Sequence, residues 1–221
     1  HQVWILAAGP HDPKAAPWRR ERWQGLEIVR FNPPAEASLL AGGVAQSFDR
    51  PELEPQFRAL LEELQPDVLH LFHLRRLSLR LVKAARRSGV PLLASLTDYW
   101  FCCPTGQLQF PEQLPCHGPH ADGANCVQHL AGRVLSPLAW LPLPLWQLLV
   151  AVLRPLPIGP IAALHRRPAA MAEVLAACEQ VLVPSALMWR SFQQLGFPTQ
   201  RFELCPYGIS LEGLADQPPR R

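Results

Sequence analysis

Pro66-Asp67-Val68-Leu69-His70-Leu71-Phe72-His73 and, further on, Val90-Pro91-Leu92-Leu93-Ala94-Ser95-Leu96-Thr97 decide the fold class. Each is a short apolar run with the length and composition of a buried parallel strand. Between them Leu77, Leu81, Ala84 and Ala85 recur at helical spacing, and Ser88-Gly89 ends that helix. Before them, residues 52 to 65 read as a helix with Phe57, Leu60, Leu61 and Leu64 on one face, stopped by Pro66. Strand, helix, strand, joined by short links, implies an α/β fold: a Rossmann-like parallel sheet with helices on both faces.

Working outward, Val3–Ala8 and Leu26–Phe31 read as strands, the second at an edge because Asn32-Pro33-Pro34 follows it. The stretch from Gly9 to Gly25 is polar and punctuated by proline. Toward the other end, a helix is expected from about Pro168 to Cys178, then a strand at Gln180–Val183. Ser185 caps a helix running to Leu195, and Arg201–Pro206 forms the last strand. Cys178 and Cys205 are expected to be small buried hydrophobes. The 25 prolines among 221 residues mark element boundaries rather than disorder, because apolar segments separate them.

Composition narrows the function classes. A net charge of +3 makes no case for nucleic acid. Lys14 and Lys83 are the only lysines among 21 basic residues. Either coding bias or a use of the arginine fork for phosphate and carboxylate accounts for that. No Gly-x-Gly-x-x-Gly follows a strand, so a dinucleotide oxidoreductase is a poor reading. The six cysteines lack the spacing of a secreted disulfide framework, which favours a reduced, cytoplasmic compartment.

In an open parallel sheet, ligands bind beyond the carboxyl ends of the strands. His73 and Asp98 fall there, on runs expected to be neighbours about 4.8 Å apart, so both side chains can reach one substrate. The plainer alternative makes His73 a helix cap and Asp98 the start of a turn. His70, inside its strand, reads as a hydrogen-bonded core histidine.

Residues 98 to 130 hold four cysteines and three histidines without periodicity, which reads as a long functional or stapled loop. Cys103, Cys116, Cys126 and His129 suit a tetrahedral structural zinc, with Cys102, His117 and His120 as rival ligands. Plain reduced thiols and a disulfide are the alternatives. Beyond the loop, Val134–Leu153 carries no charge. Pro137, Pro142 and Pro144 interrupt it, so a membrane-crossing helix is not expected. Trp140 and Trp146, with Arg133 and Arg154 at the flanks, fit an interfacial segment docked peripherally on the inner membrane face. An apolar helical insert covering the sheet is the alternative.

Several segments together resemble the retaining family-4 glycosyltransferases. Thr97-Asp98-Tyr99-Trp100-Phe101-Cys102-Cys103-Pro104-Thr105-Gly106-Gln107-Leu108 is similar to that family's strand end and Cys-Pro-x-Gly-Gln-like run. Pro66–His73 resembles its Pro-Asp-hydrophobic-hydrophobic-His-x-x-His strand, and Val183-Pro184-Ser185, Gly196-Phe197-Pro198 and Pro206-Tyr207-Gly208-Ile209 its closing segment. Thr97 stands where many relatives carry His, and Ser210 where Asp is common.

The resemblance implies one half of a GT-B architecture. Residues 1–210 would form the acceptor-side domain, truncated at its start, and 211–221 the beginning of a linker to an absent donor-binding domain. It implies transfer of a sugar from a nucleotide-sugar donor with retention of configuration, and no cofactor for catalysis. The acceptor would be a saccharide, lipid-linked or cell-envelope molecule. Asp98 and His73 would be catalytic, with Thr97, Tyr99, Ser185, Tyr207 and Gly208 binding substrate. The chain alone is expected to transfer no sugar. The competing reading is a non-catalytic saccharide- or partner-binding module with a zinc-stapled loop.

Overall fold

A computed structural model describes residues 1–37, 43–110, 114–120, 123–134, 141–153 and 159–208. Trp140, Arg154, Ser210, the 211–221 segment and the side chain of Arg133 lie outside what it describes. The strands are β1 (Trp4–Ala8), β2 (Trp18–Trp23), β3 (Leu26–Phe31), β4 (Leu69–Leu71), β5 (Leu92–Ser95), β6 (Gln180–Val183) and β7 (Phe202–Leu204). The helices are α1 (Gly43–Gln46), α2 (Glu54–Leu64), α3 (Leu79–Arg87), α4 (Ala124–Val134), α5 (Leu143–Leu153), α6 (Gly159–Ala177) and α7 (Ala186–Gln194).

Strands β4-β5-β6-β7 form, in that order, an all-parallel sheet flanked by helices, compatible with a Rossmann-like fold. Burial alternates along it. Leu71, Leu92, Ala94, Val181, Val183 and Phe202 join the main core with residues of α2, α3, α6 and α7. On the other face His70, Gln180 and Glu203 are exposed, while Leu93, Ser95 and Leu182 are only half-buried. Among the described residues, the cover expected on both faces is therefore complete on one. His70 is not a core residue: its Nε2 lies 2.8 Å from Ser95 Oγ on the open face, and burial of the ring lowers its pKa only in part-exposed surroundings.

A second, three-stranded sheet has the order β1-β3-β2, with β1 parallel and β2 antiparallel to β3. Leu26–Phe31 is thus central, not an edge. One edge is Trp18-Arg19-Arg20-Glu21-Arg22-Trp23, whose charges suit a strand left unpaired on one side, and the other is β1. Gln24 and Gly25 both have positive φ, 48° and 80°, the two-residue turn that matches hairpin twist.

Two helices depart from expectation. α6 starts at Gly159 and runs through Pro168, because packing of Ile161, Ala163 and Leu164 outweighs the one backbone bond a proline removes. α4 begins inside the supposed loop, so Cys126 and His129 are helical. In α5, Trp146 is buried at 4% exposure with Ala124, Val150 and Ile161 in a small second core. It packs between helices and does not present its ring outward, as an interfacial residue would. Cys178 is fully buried as expected, but Cys205 is exposed just past β7.

Candidate functional site

Parallel strands with short returns deliver their following residues to one rim. His73 follows β4, Thr97 and Asp98 follow β5, Ser185 follows β6, and Tyr207 and Gly208 follow β7. The order along the rim is the order of the strands. Because β4 and β5 are paired neighbours, His73 and Asp98 meet: His73 Nε2 stands 3.3 Å from Asp98 Oδ2. Neither is sealed off, with side chains 30% and 42% exposed.

Both groups are held from behind. Arg75 N–H donates to His73 Nδ1 at 2.9 Å, so Nδ1 is an acceptor and the ring proton sits on Nε2, facing the carboxylate. Asp98 Oδ1 accepts from Trp100 N–H at 2.8 Å. Burial pushes the Asp98 carboxyl up, but the His73 hydrogen bond, the Trp100 amide and the nearby Arg75 charge together hold it below its ordinary value. The Trp100 indole lies against the imidazole, ring centres 4.8 Å apart. Gly106, at φ 79°, returns the following loop against the site: its carbonyl accepts from Tyr99 N–H at 3.0 Å. A Cβ there would stand 3.3 Å from Asp98 Oδ2. The dyad can accept a hydroxyl hydrogen bond, supply a fixed negative charge and donate from an oriented imidazole.

The remaining expected substrate-binding residues divide. Thr97 is exposed beside Asp98, and Tyr207, 63% exposed, reaches back to donate its hydroxyl to Leu96 O at 3.3 Å. Gly208 is exposed with open space around it. Tyr99 instead turns its ring onto Phe192, 6.4 Å between centres. Ser185 Oγ accepts from Met188 N–H at 3.2 Å and caps α7.

All six cysteines are free. Cys103, Cys116, Cys126 and His129 line one cavity of about 10 Å³. Among the described residues, no group of three or more His, Cys, Asp or Glu is arranged to hold a metal ion as it stands. The thiols differ sharply. Burial pushes Cys126 up to about 12. Burial also opposes ionisation of Cys103, yet Thr105 Oγ1 at 3.2 Å and the backbone amides of Thr105, Gln107 and Leu108 overcome it and lower its pKa.

Sequence reasoning missed Arg167, in α6. It is 2% exposed, binds the carbonyls of Trp100 and Phe101, and lies over the Trp100 ring, Cζ to centre 5.1 Å. Burial lowers its pKa to about 10. The guanidinium thus fixes the backbone whose Trp100 amide and ring hold the His73–Asp98 dyad. A signal existed, paired arginines before Pro168 in a largely apolar helix, but nothing local says which of them turns inward or what it reaches.

No protein-family model, curated protein or solved structure matches this chain.

Proposed function

We propose that this chain forms the acceptor side of a retaining glycosyltransferase that takes a sugar from a nucleotide-sugar donor. The observation carrying the reading is the His73–Asp98 contact at the carboxyl rim of adjacent parallel strands. It agrees with the family-4 resemblance of the two segments that supply those residues. Asp98, held ionised, accepts the acceptor hydroxyl and faces the positive charge that develops at a sugar carbon as its diphosphate leaves. His73, with its proton on Nε2, orients the same hydroxyl or the transferring sugar. Both tasks are positioning and electrostatics.

Peripheral membrane docking by a lipid-linked acceptor enzyme fits α5. Leu145, Leu148, Leu149 and Val152 are 41–61% exposed along one helix. Among the described residues no helix is long and apolar enough to cross a membrane. The leucine stripe would lie in the interface.

The test is transfer from a panel of nucleoside diphosphate sugars by the full reading frame containing these residues, with wild type beside Asp98→Asn and His73→Ala. The reading requires turnover that falls about a hundredfold or more in Asp98→Asn while the protein stays folded. Undiminished turnover in that variant, or none in the wild type with any donor, removes it.

A second reading, a binding module stapled by zinc through Cys103, Cys116, Cys126 and His129, is favoured by one observation. Those four residues share a single small cavity, with the Cys103 sulfur in a nest of amide donors.

A further inference from the structure

A second cavity, of about 280 Å³, opens between α6 and the segments on either side of the α4 start. Its lining includes Arg167, His120, His165, Gly123 and Cys126. We propose that it binds a phosphate group, carried as a phosphomonoester. The proposal does not depend on the transferase reading: no rim residue lines the cavity, although Arg167 also braces the backbone behind the rim.

Arg167 is the first support. Nη1 and Nη2 are directed to the Phe101 and Trp100 carbonyls, while Nε is buried with no hydrogen-bond partner. Among the described residues Arg167 forms no ion pair with a carboxylate. Neutral carbonyls and a ring face compensate a guanidinium removed from water only in part, and an anion would complete the compensation.

The surroundings supply what an oxyanion needs. His165 and His120 are exposed at the mouth, and His120 Nδ1 donates to Gly118 O at 3.2 Å, which fixes how that ring stands. Cys126 lies in the first turn of α4 and Gly123 just before it, at the end of an eleven-residue helix whose dipole favours negative charge. No carboxylate is among the described lining residues. The volume exceeds what bare phosphate fills, which is why an ester is the expected occupant.

Asp122 is the rival. It is the sole acidic residue in the sequence between Glu112 and Glu173, and it lies outside the described residues. If its carboxylate is the natural counter-ion of Arg167, no external phosphate is needed.

Calorimetric titration of the chain with inorganic phosphate and with glycerol phosphate, at ionic strength matched by chloride, decides this. One site per chain is expected, tighter for the ester, and weakened about tenfold in Arg167→Lys, because a lysine has no counterpart of the Nε–H that the two carbonyls leave over. His165→Ala, on an exposed residue, guards against a misfolded arginine variant and should weaken binding about threefold. Binding of inorganic phosphate alone also supports the site and names the free anion as occupant. Absence of saturable binding by either probe overturns it, as does binding that appears only in Asp122→Asn, or affinity unchanged in His165→Ala and Arg167→Lys alike.

Discussion

The Tyr207 hydroxyl donates to the Leu96 carbonyl at 3.3 Å, tying the end of β7 to the end of β5 across the intervening β6. That bond gathers the rim: it sets an exposed phenol beside Thr97, one residue from the carboxylate that meets His73. Residues far apart in the chain thus share one edge because the strands are parallel.

Asp98→Asn removes a carboxylate whose pKa is lowered in the folded protein. Its stabilising contribution is present above the unfolded carboxylate range, near pH 4, and lost as pH falls through the lower folded value. The pair is partly exposed, so the loss at pH 7 is expected to be about 1 kcal/mol or less. Urea unfolding of wild type and variant should differ at pH 7 and converge well below pH 4; a gap that widens on acidification contradicts it.

Gly106→Ala places a side chain at φ 79° with its Cβ 3.3 Å from Asp98 Oδ2. The left-handed backbone alone costs about 1–2 kcal/mol. Thermal unfolding should show a lowered midpoint, and acceptor binding should weaken as the loop is pushed from the dyad. A midpoint equal to wild type would mean the loop adapts freely.

Ser185→Ala should act as a cap mutation. The hydroxyl oxygen is already engaged by Met188 N–H, so about 1 kcal/mol of stability is lost. Sugar transfer per folded molecule should stay near wild type. A large fall in transfer with unchanged stability would give Ser185 a direct role with substrate.

In α5, inward and outward residues should respond oppositely. Trp146→Ala empties a buried position, 4% exposed, and is expected to cost about 3 kcal/mol or more. Leu148→Glu and Val152→Glu, at positions 61% and 60% exposed, should leave stability within about 0.5 kcal/mol. Those two should also abolish flotation with anionic liposomes. Wild-type protein recovered wholly in the soluble fraction counts against membrane docking.

Zinc loading should draw Cys103, Cys116, Cys126 and His129 inward around their shared cavity, with thiolates formed and protons released. The zinc reading requires close to one zinc per chain by elemental analysis of protein purified without chelator, and loss of most of it in Cys126→Ser. Less than about a tenth of an equivalent ends the zinc reading.

The sequence by itself determined the parallel sheet. Val68–His73, Val90–Thr97 and Gln180–Val183 are short apolar runs separated by helical spacing, and that local pattern survives into β4, β5 and β6. It also placed His73 and Asp98 at strand ends, since a strand's carboxyl end is a local property. Other elements needed the third dimension. β2 is written in charged residues that read as loop until β3 pairs with it, and α6 crosses Pro168 because neighbouring helices hold it. Trp146 turned inward and Arg167 reached Trp100 for the same reason. Which way a side chain faces, and what compensates a buried charge, depends on contacts between segments distant in sequence, and no local pattern encodes those.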